Sequence, residues 1–392
     1  MTDIPIDGTC APGFEAVRDA FVTNFREGHD VGAAVCVYQR GQVVVDLWGG
    51  YRDAAHSDPW TPDTIVTTYS NGKGWLATCM NMLLDRGAIE LDAPIARYWP
   101  AFGAHGKGEV TVRQALTHSA GLPAPTMRVP DEAIYDFDRM LAYVADSELW
   151  WEPGTRMGYH AATFGWINGG VLQHVTGMSP GEFLRREIRE PLGADLFWGT
   201  TPADDARTAT LLEPATPAAG RAGAAIPPDA PREEGRHGDM LKMALNNPPR
   251  RFRAQNTPEW RRACIPASNG HASARGLARM YAALGNGGTL DGVTLMREET
   301  VRAAATEQVS GIDAIHLISA RRGFGYALPV GADDPRGPGA FGHSGLGGSL
   351  GYADLDHGLG FGYVPNQVGT PGDSRATSLS RALYASLGVP AK

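Results

Sequence analysis

Lysine is scarce in this 392-residue chain: only Lys73, Lys107, Lys242 and Lys392 carry it, and the rest of the 35 basic residues are arginine. Arginine stays protonated at ordinary pH, so any chemistry that needs an amine as a base has few positions open to it. Positive charge as a whole is in deficit. The formal net charge of −8 argues against nucleic-acid or anionic-membrane partners, which require a basic face. No segment approaches eighteen uninterrupted apolar residues, so no transmembrane helix is predicted. The opening MTDIPIDGTCAPGFEAV has neither the basic start nor the apolar core of a secretory leader. Cysteine is sparse as well, and Cys10, Cys36, Cys79 and Cys264 form no CxxC pair, so the expectation is four reduced thiols in a cytoplasmic protein. The eleven histidines include no H-E-x-x-H and no Cys/His ligand spacing, so neither a catalytic metal nor a cofactor is expected.

What is present is ordinary globular composition, 43% hydrophobic and 20% charged, in a chain long enough for one large domain or two interleaved ones. Residues 31–50 read as two β-rich runs joined at Arg40-Gly41, a hairpin signal. Over 70–86 the apolar residues Leu76, Cys79, Met80, Leu83 and Leu84 recur at helical spacing, with Ser70 at the start and Gly87 as the stop. Further helices are predicted over 111–117, 163–177, 180–189, 272–285 and 374–387. Residues 349–365 alternate as β structure around Asp356-His357-Gly358. Between about 200 and 265 the chain turns rich in Pro, Ala and Gly, a long excursion of the kind that often covers a functional cleft.

With β-rich segments at both ends and helices between them, the predicted class is α+β. An antiparallel sheet built from both chain termini, with flanking helices, carries a mostly helical insertion. The boundaries implied are 1–95 with 290–392 for the sheet domain and 96–289 for the helical one.

Two serines compete for the role of nucleophile. In 68-TYSNGKGWLATCMNMLLDRG-87, Ser70 and Lys73 stand three residues apart, on the same side of one helical turn. A serine hydroxyl needs a base to remove its proton, and a lysine can serve only as the neutral amine; burial and the positive helix end both favour that form. The spacing alone is weak evidence, expected by chance in roughly one chain of this composition in seven. The rival is 347-GGSLG-351, a formal G-x-S-x-G centred on Ser349. In an α/β-hydrolase that serine sits between a strand and a helix, with acid and histidine following in the chain. Here the following GYADLDHGLGFGYVPN is β-like and only about forty residues remain, so a structural turn serine is the better account.

Three further stretches decide between them. They are 152-EPGTRMGYHAATFGWINGGVL-172, 341-FGHSGLGGSLGYADLDHGLGFGYVPN-366, and 89-IELDAPIARYWPAF-102 with 111-TVRQALTHSAGLP-123. In that order and spacing, from about residue 30 to 387, the chain resembles the serine β-lactamase and penicillin-binding-protein superfamily. Within it, the resemblance is to the class C β-lactamase-like branch that contains the family VIII carboxylesterases. It implies that Ser70 accepts the acyl group, Lys73 is its base partner, and Tyr159 shares the base role and protonates the leaving group. It further implies that His343-Ser344-Gly345 lines the cleft where β-lactamases carry Lys-Thr-Gly, and His160, beside the tyrosine, is taken as a further substrate-binding residue. The backbone N–H groups of Ser70 and Leu346 would form the oxyanion hole.

The departures bear on substrate. Tyr159-His160-Ala161 stands where the lactamases and peptidases have Tyr-x-Asn, which removes an amide partner for an acylamino group. His343 replaces a lysine and so removes a permanent cation that would meet the carboxylate of a penicillin or peptide. A buried polar group left without its partner costs about 1–3 kcal/mol, so both losses favour simple esters.

The expectation is therefore a serine carboxylesterase for short- to medium-chain esters, with a small-molecule ester as partner, as monomer or homodimer. A β-lactamase, D-amino-acid peptidase or amidase, or acyltransferase remains open within the same chemistry. A non-catalytic binding relative remains open outside it.

His118 and His271, flanking small-residue turns, are read as structural hydrogen-bonding residues. One or two tryptophans near 149–152 or 198–262 are candidates for an apolar acyl pocket.

Overall fold

The computed structural model describes residues 4–214, 236–249, 252–370 and 372–389. Six antiparallel strands make the main sheet, in the spatial order Ile6–Cys10, Gln42–Gly50, Gly32–Gln39, Leu359–Pro365, Leu350–Asp354 and Ala340–Ser344. The two ends of the chain meet in its middle, where Val35 lies opposite Tyr363. The hairpin predicted at Arg40-Gly41 is there. Arg40 and Gly41 take φ of 49° and 78°, the paired positive values of a two-residue turn whose twist matches the strands.

Both faces of the sheet are covered, which explains why Gly32–Gln39 reads as an unbroken apolar run. Val35 and Val37 pack with Phe21 of helix Glu15–Arg26 and with Leu379 and Leu383 of helix Arg375–Ser386. Ala34, Cys36 and Tyr38 point the other way, into the large core shared with Leu277 and Tyr281 of helix Ala274–Gly285. That helix lies almost on the backbone of strand Leu359–Pro365. A Cβ added at Gly360 would stand 2.2 Å from Ala282 N, and one at Gly362 would stand 2.5 Å from Ala274 O. Helix 274–285 thus packs with the sheet, although its place in the chain put it in the helical segment 96–289.

The remaining helices follow the expected periodicity. Asn71–Asp85 is buried along almost its whole circumference, between helix Thr163–Thr176 and strand Ala340–Ser344. This is the helix that is hydrophobic all round and therefore central. Thr111 and Gln114 close a capping box on Val112–Leu116, and Gly177, at φ 71°, ends Thr163–Thr176. The run predicted over 180–189 is α-helical only at Pro180–Leu184 and continues as a π turn over Arg185–Arg189.

Two features lacked a sequence signal strong enough to read. Strand Val66–Tyr69 pairs with Gly270–Ala272, which pairs in turn with Leu196–Phe197. A hairpin joins Val309–Ile312 to Ser319–Arg322. Of the Pro/Ala/Gly-rich excursion, 215–235 lies outside the described residues; past it come helix Arg236–Asn246 and a short turn of helix at Phe252–Asn256. Among the described residues no helix is long and apolar enough to cross a membrane.

Candidate active site

Strand Val66–Tyr69 runs directly into helix Asn71–Asp85, and the junction is strained. Tyr69 takes φ of 50°, a left-handed value costly for a bulky side chain, and its hydroxyl donates to Gln255 Oε1 at 2.6 Å. Ser70 follows as the N-cap residue, its side chain turned away from the capping role and into a cleft of about 650 Å³. One helical turn on, Lys73 is wholly buried. Its Nζ lies 3.0 Å from Ser70 Oγ, 2.8 Å from Ala161 O and 2.9 Å from Ala267 O. The Lys73 nitrogen is thus held within hydrogen-bond reach of the serine hydroxyl and of two backbone carbonyls.

Tyr159 reaches the same hydroxyl from 89 residues away in the chain; its phenol oxygen is 2.9 Å from Ser70 Oγ. The loop that carries it is tied at several points. Gly158 N donates to His118 O at 3.0 Å, Gly154 N donates to Ser119 O at 2.9 Å, and His160 N donates to His118 Nδ1 at 3.0 Å. His118 is therefore the cradle of the tyrosine loop, the structural part its turn sequence suggested. Burial holds it well below the usual histidine range, so it stays neutral. His271 is likewise buried, its Nε2 2.9 Å from Thr67 Oγ1 on the strand leading to Ser70.

His160 does not line the cleft. It is fully buried, its Nδ1 lies 2.6 Å from Gly158 O, and its Nε2 accepts from Leu122 N at 3.2 Å. Burial brings it down to about 4. Spent on two backbone groups, it shapes the tyrosine loop from behind and presents nothing to a ligand.

The opposite wall is strand Ala340–Ser344 and the turn after it. His343, Ser344, Gly345 and Leu346 all line the cleft. His343 Nδ1 is 2.7 Å from Ser344 O, so that nitrogen carries the proton and Nε2 is left as an acceptor. Burial above all, with the nearby Arg322 charge adding to it, holds His343 well below its ordinary value, so it brings no cation to the cleft. No acceptor among the described residues takes the backbone N–H of Ser70 or of Leu346.

Ser349, on the far side of the same turn, has a different life. It is buried, donates to Thr68 O at 3.0 Å and accepts from Asn71 Nδ2 at 2.9 Å. It is a strut between the turn and the end of the strand before Ser70. Of the tryptophans, Trp260 is on the cleft wall.

Four residues of the site had no motif to announce them. Gln255 holds Tyr69 from the far end of the excursion. Asp313, His316 and Arg322 come from the hairpin 309–322 and gather on Tyr159: its backbone N–H donates to Asp313 Oδ1 at 3.0 Å, and the His316 ring lies 4.5 Å from its ring. Hydrophobic period and turn chemistry, which located the helices, are silent on such residues, because isolated Asp, His and Arg read by default as surface.

Comparison with known proteins bears on the family of the chain. The family description "Beta-lactamase" matches residues 18–386. The chain is 36% identical over 375 residues to "Esterase/beta-lactamase LipL" of Mycobacterium tuberculosis, a stretch covering 93% of this chain and 83% of that protein. Among solved structures it is similar to a family VIII carboxylesterase, at 39% identity and a TM-score of 0.89, over 98% of this chain and all of the other. A penicillin-binding protein homologue from Caulobacter crescentus follows at 35% identity and a TM-score of 0.87, over 97% of this chain and 100% of that one.

Proposed function

Because the chain belongs to the β-lactamase family, we propose that it is a serine carboxylesterase that cleaves short- to medium-chain carboxylic esters through an acyl-Ser70 intermediate. The observation that carries this reading is the convergence of Lys73 Nζ and Tyr159 Oη on Ser70 Oγ, at 3.0 and 2.9 Å. Burial favours the uncharged amine, whose lone pair takes the serine proton as Oγ attacks the ester carbonyl. The oxyanion that develops is met by the N–H groups of Ser70 and Leu346, donors of a kind worth on the order of a hundredfold or more in rate. Tyr159 passes a proton to the departing alkoxide and then takes one from the water that releases the acyl group, while the proton held by Lys73 returns to Ser70 Oγ. No histidine–carboxylate pair is needed.

Preference for esters rests on what the walls offer. His343 is neutral, and Ala161, in the position of the family's asparagine, has no side-chain amide. Neither supplies the charge or amide that a β-lactam would use. The mouth instead carries Leu245, Ile318 and Leu346, which are 40%, 45% and 65% exposed, a setting for the hydrocarbon arm of an ester. The relatives carry names of both kinds, esterase and β-lactamase, so the two substrates belong in one assay. Nitrophenyl esters of increasing acyl length are expected to be turned over with Ser70 labelled by a fluorophosphonate, and nitrocefin far more slowly. Faster hydrolysis of nitrocefin than of every ester would reverse the assignment.

A further inference from the structure

The phenol of Tyr159 is surrounded. Lys73 Nζ, from the central helix, lies 4.7 Å from its ring centroid. The ring centroid of His118, from the turn before Gly121, lies 5.2 Å away, that of His343 of strand Ala340–Ser344 6.1 Å and that of His316 4.5 Å, all tilted to the phenol ring. The guanidinium carbon of Arg322, at the end of strand Ser319–Arg322, lies 5.3 Å from the same centroid. His118 and His343 are held neutral by burial, and His160, next in the chain, faces away. Of the groups around the ring, Arg322 is thus the one whose positive charge does not depend on pH.

Arg322 is itself buried, at 7% exposure, and its Nε has no hydrogen-bond partner among the described residues. Its ion-pair partner is Asp313, buried at 1%, with Nη2 and Oδ2 3.6 Å apart, beyond hydrogen-bond reach. The other carboxylate oxygen, Oδ1, accepts three backbone N–H groups, from Tyr159 at 3.0 Å and from Ile315 and His316 at 2.9 Å each. A cation left with a loose partner and an unsatisfied N–H is costly to bury for stability alone. Its placement against the ring of Tyr159 is what distinguishes it.

We propose that Arg322 and Asp313 form a positioning pair for Tyr159, in which Asp313 fixes the tyrosine backbone and Arg322 supplies the permanent positive charge that favours the proton-accepting state of the Tyr159–Lys73 couple. In this chain the arginine takes over the electrostatic task left vacant by a neutral His343. The inference rests on the acyl-serine reading above. A cation stabilises a phenolate and equally disfavours an ammonium, so its removal raises the pH at which the couple becomes a base, wherever the shared proton resides. Removal of the Asp313 charge does the reverse.

The test is the pH profile of kcat/KM with p-nitrophenyl butyrate. In Arg322→Gln the acid limb is expected to move up by about one pH unit, a roughly tenfold loss on the acid side that recovers at high pH. Arg322→Lys, which keeps the charge, is expected to restore the limb. Asp313→Asn keeps an oxygen for the backbone N–H groups and loses only charge, so its limb is expected to move down. Opposite shifts support the pair; limbs that stay in place, or move in the same direction, overturn it. If Arg322→Gln does not fold, Asp313→Asn decides alone, since a purely structural aspartate would lower the rate without moving the limb downward. Tyr159→Phe, run alongside, separates the two layers. Wild-type rates in that variant would sink the acyl-serine reading itself, whereas an inactive Tyr159→Phe with unmoved limbs in the others sinks only the pair.

Discussion

Ser70 and Ser349 sit on either side of the same strand end, and each stands in a short motif associated with hydrolases. Ser70 opens into the cleft and meets an amine and a phenol within 3.0 Å. Ser349 is 2% exposed and meets a backbone carbonyl and an asparagine amide. A hydroxyl that donates to Thr68 O points its proton at a carbonyl too weakly basic to remove it, whereas, on the reading proposed above, one facing an amine and a phenol has a route for that proton. The lesson is about partners. Both motifs bring a serine to a tight junction, and the neighbours decide which one is chemistry and which one is carpentry.

The comparison breaks most visibly at Ser70. Ser70→Ala is expected to lose at least about a thousandfold in kcat/KM for p-nitrophenyl butyrate, as removal of a nucleophile does elsewhere. Ser349→Ala is expected to keep most of the activity and to lose about 1–2 kcal/mol of stability in a denaturant melt, the cost of leaving Thr68 O and Asn71 without their partner. Activity that survives the first change and dies with the second would exchange the roles.

Next in size, Tyr159→Phe keeps the ring among Lys73, His118 and His316 and removes only the hydroxyl. It is expected to lower kcat by about 10²–10⁴, the usual range for a general acid–base group, with a melting temperature close to wild type. The cleft side of the comparison would lose its proton route if kcat stayed within a few-fold.

The structural side can be probed by pH. His160 and His271 are brought down to about 4 by burial, against an ordinary 6.5. Their neutral forms stabilise the fold fully above pH 6.5, and that contribution is lost as pH falls from 6.5 towards 4, because the unfolded chain takes the protons first. At pH 5 each accounts for roughly 2 kcal/mol of lost stability. Thermal melts from pH 7 to 5 are expected to drop steeply, and His271→Asn is expected to flatten the curve. An unchanged slope in that variant would remove His271 from the account.

The smallest effect expected is on selectivity. His343→Lys restores a cation to the cleft, and the ratio of nitrocefin to nitrophenyl-ester hydrolysis should rise by roughly tenfold, one good charge contact. A ratio that stays put would mean that the charge at this position does not sort the two substrates.

Much of this was legible along the chain. Helix Asn71–Asp85 was visible from Leu76, Cys79, Met80 and Leu83, and the hairpin from Arg40-Gly41, because both signals are local and repeat at the period of the element. Ser70 and Lys73 were legible for the same reason, being one turn apart. Tyr159 and the His343–Leu346 wall came through the ordered family motifs, since no local rule links residue 159 to residue 70. The hairpin 309–322 stayed hidden: its strands are half-exposed and carry Ser, Gly and Arg in place of an apolar alternation. Asp313, His316 and Arg322 stayed hidden with it. Helix Ala274–Gly285 was legible as a helix, but its place on the sheet was not, because that depends on the glycines of a strand some eighty residues later in the chain.

By itself, then, the amino-acid order determined the local elements and the one-turn spacing of hydroxyl and amine, because hydrophobic period, capping and turn chemistry act over a few residues. Only the tertiary structure decided which serine is open, which histidines are occupied and which charges face the phenol. Those properties depend on burial and on distances of 3 to 6 Å between segments remote in the chain, and no local interaction encodes them.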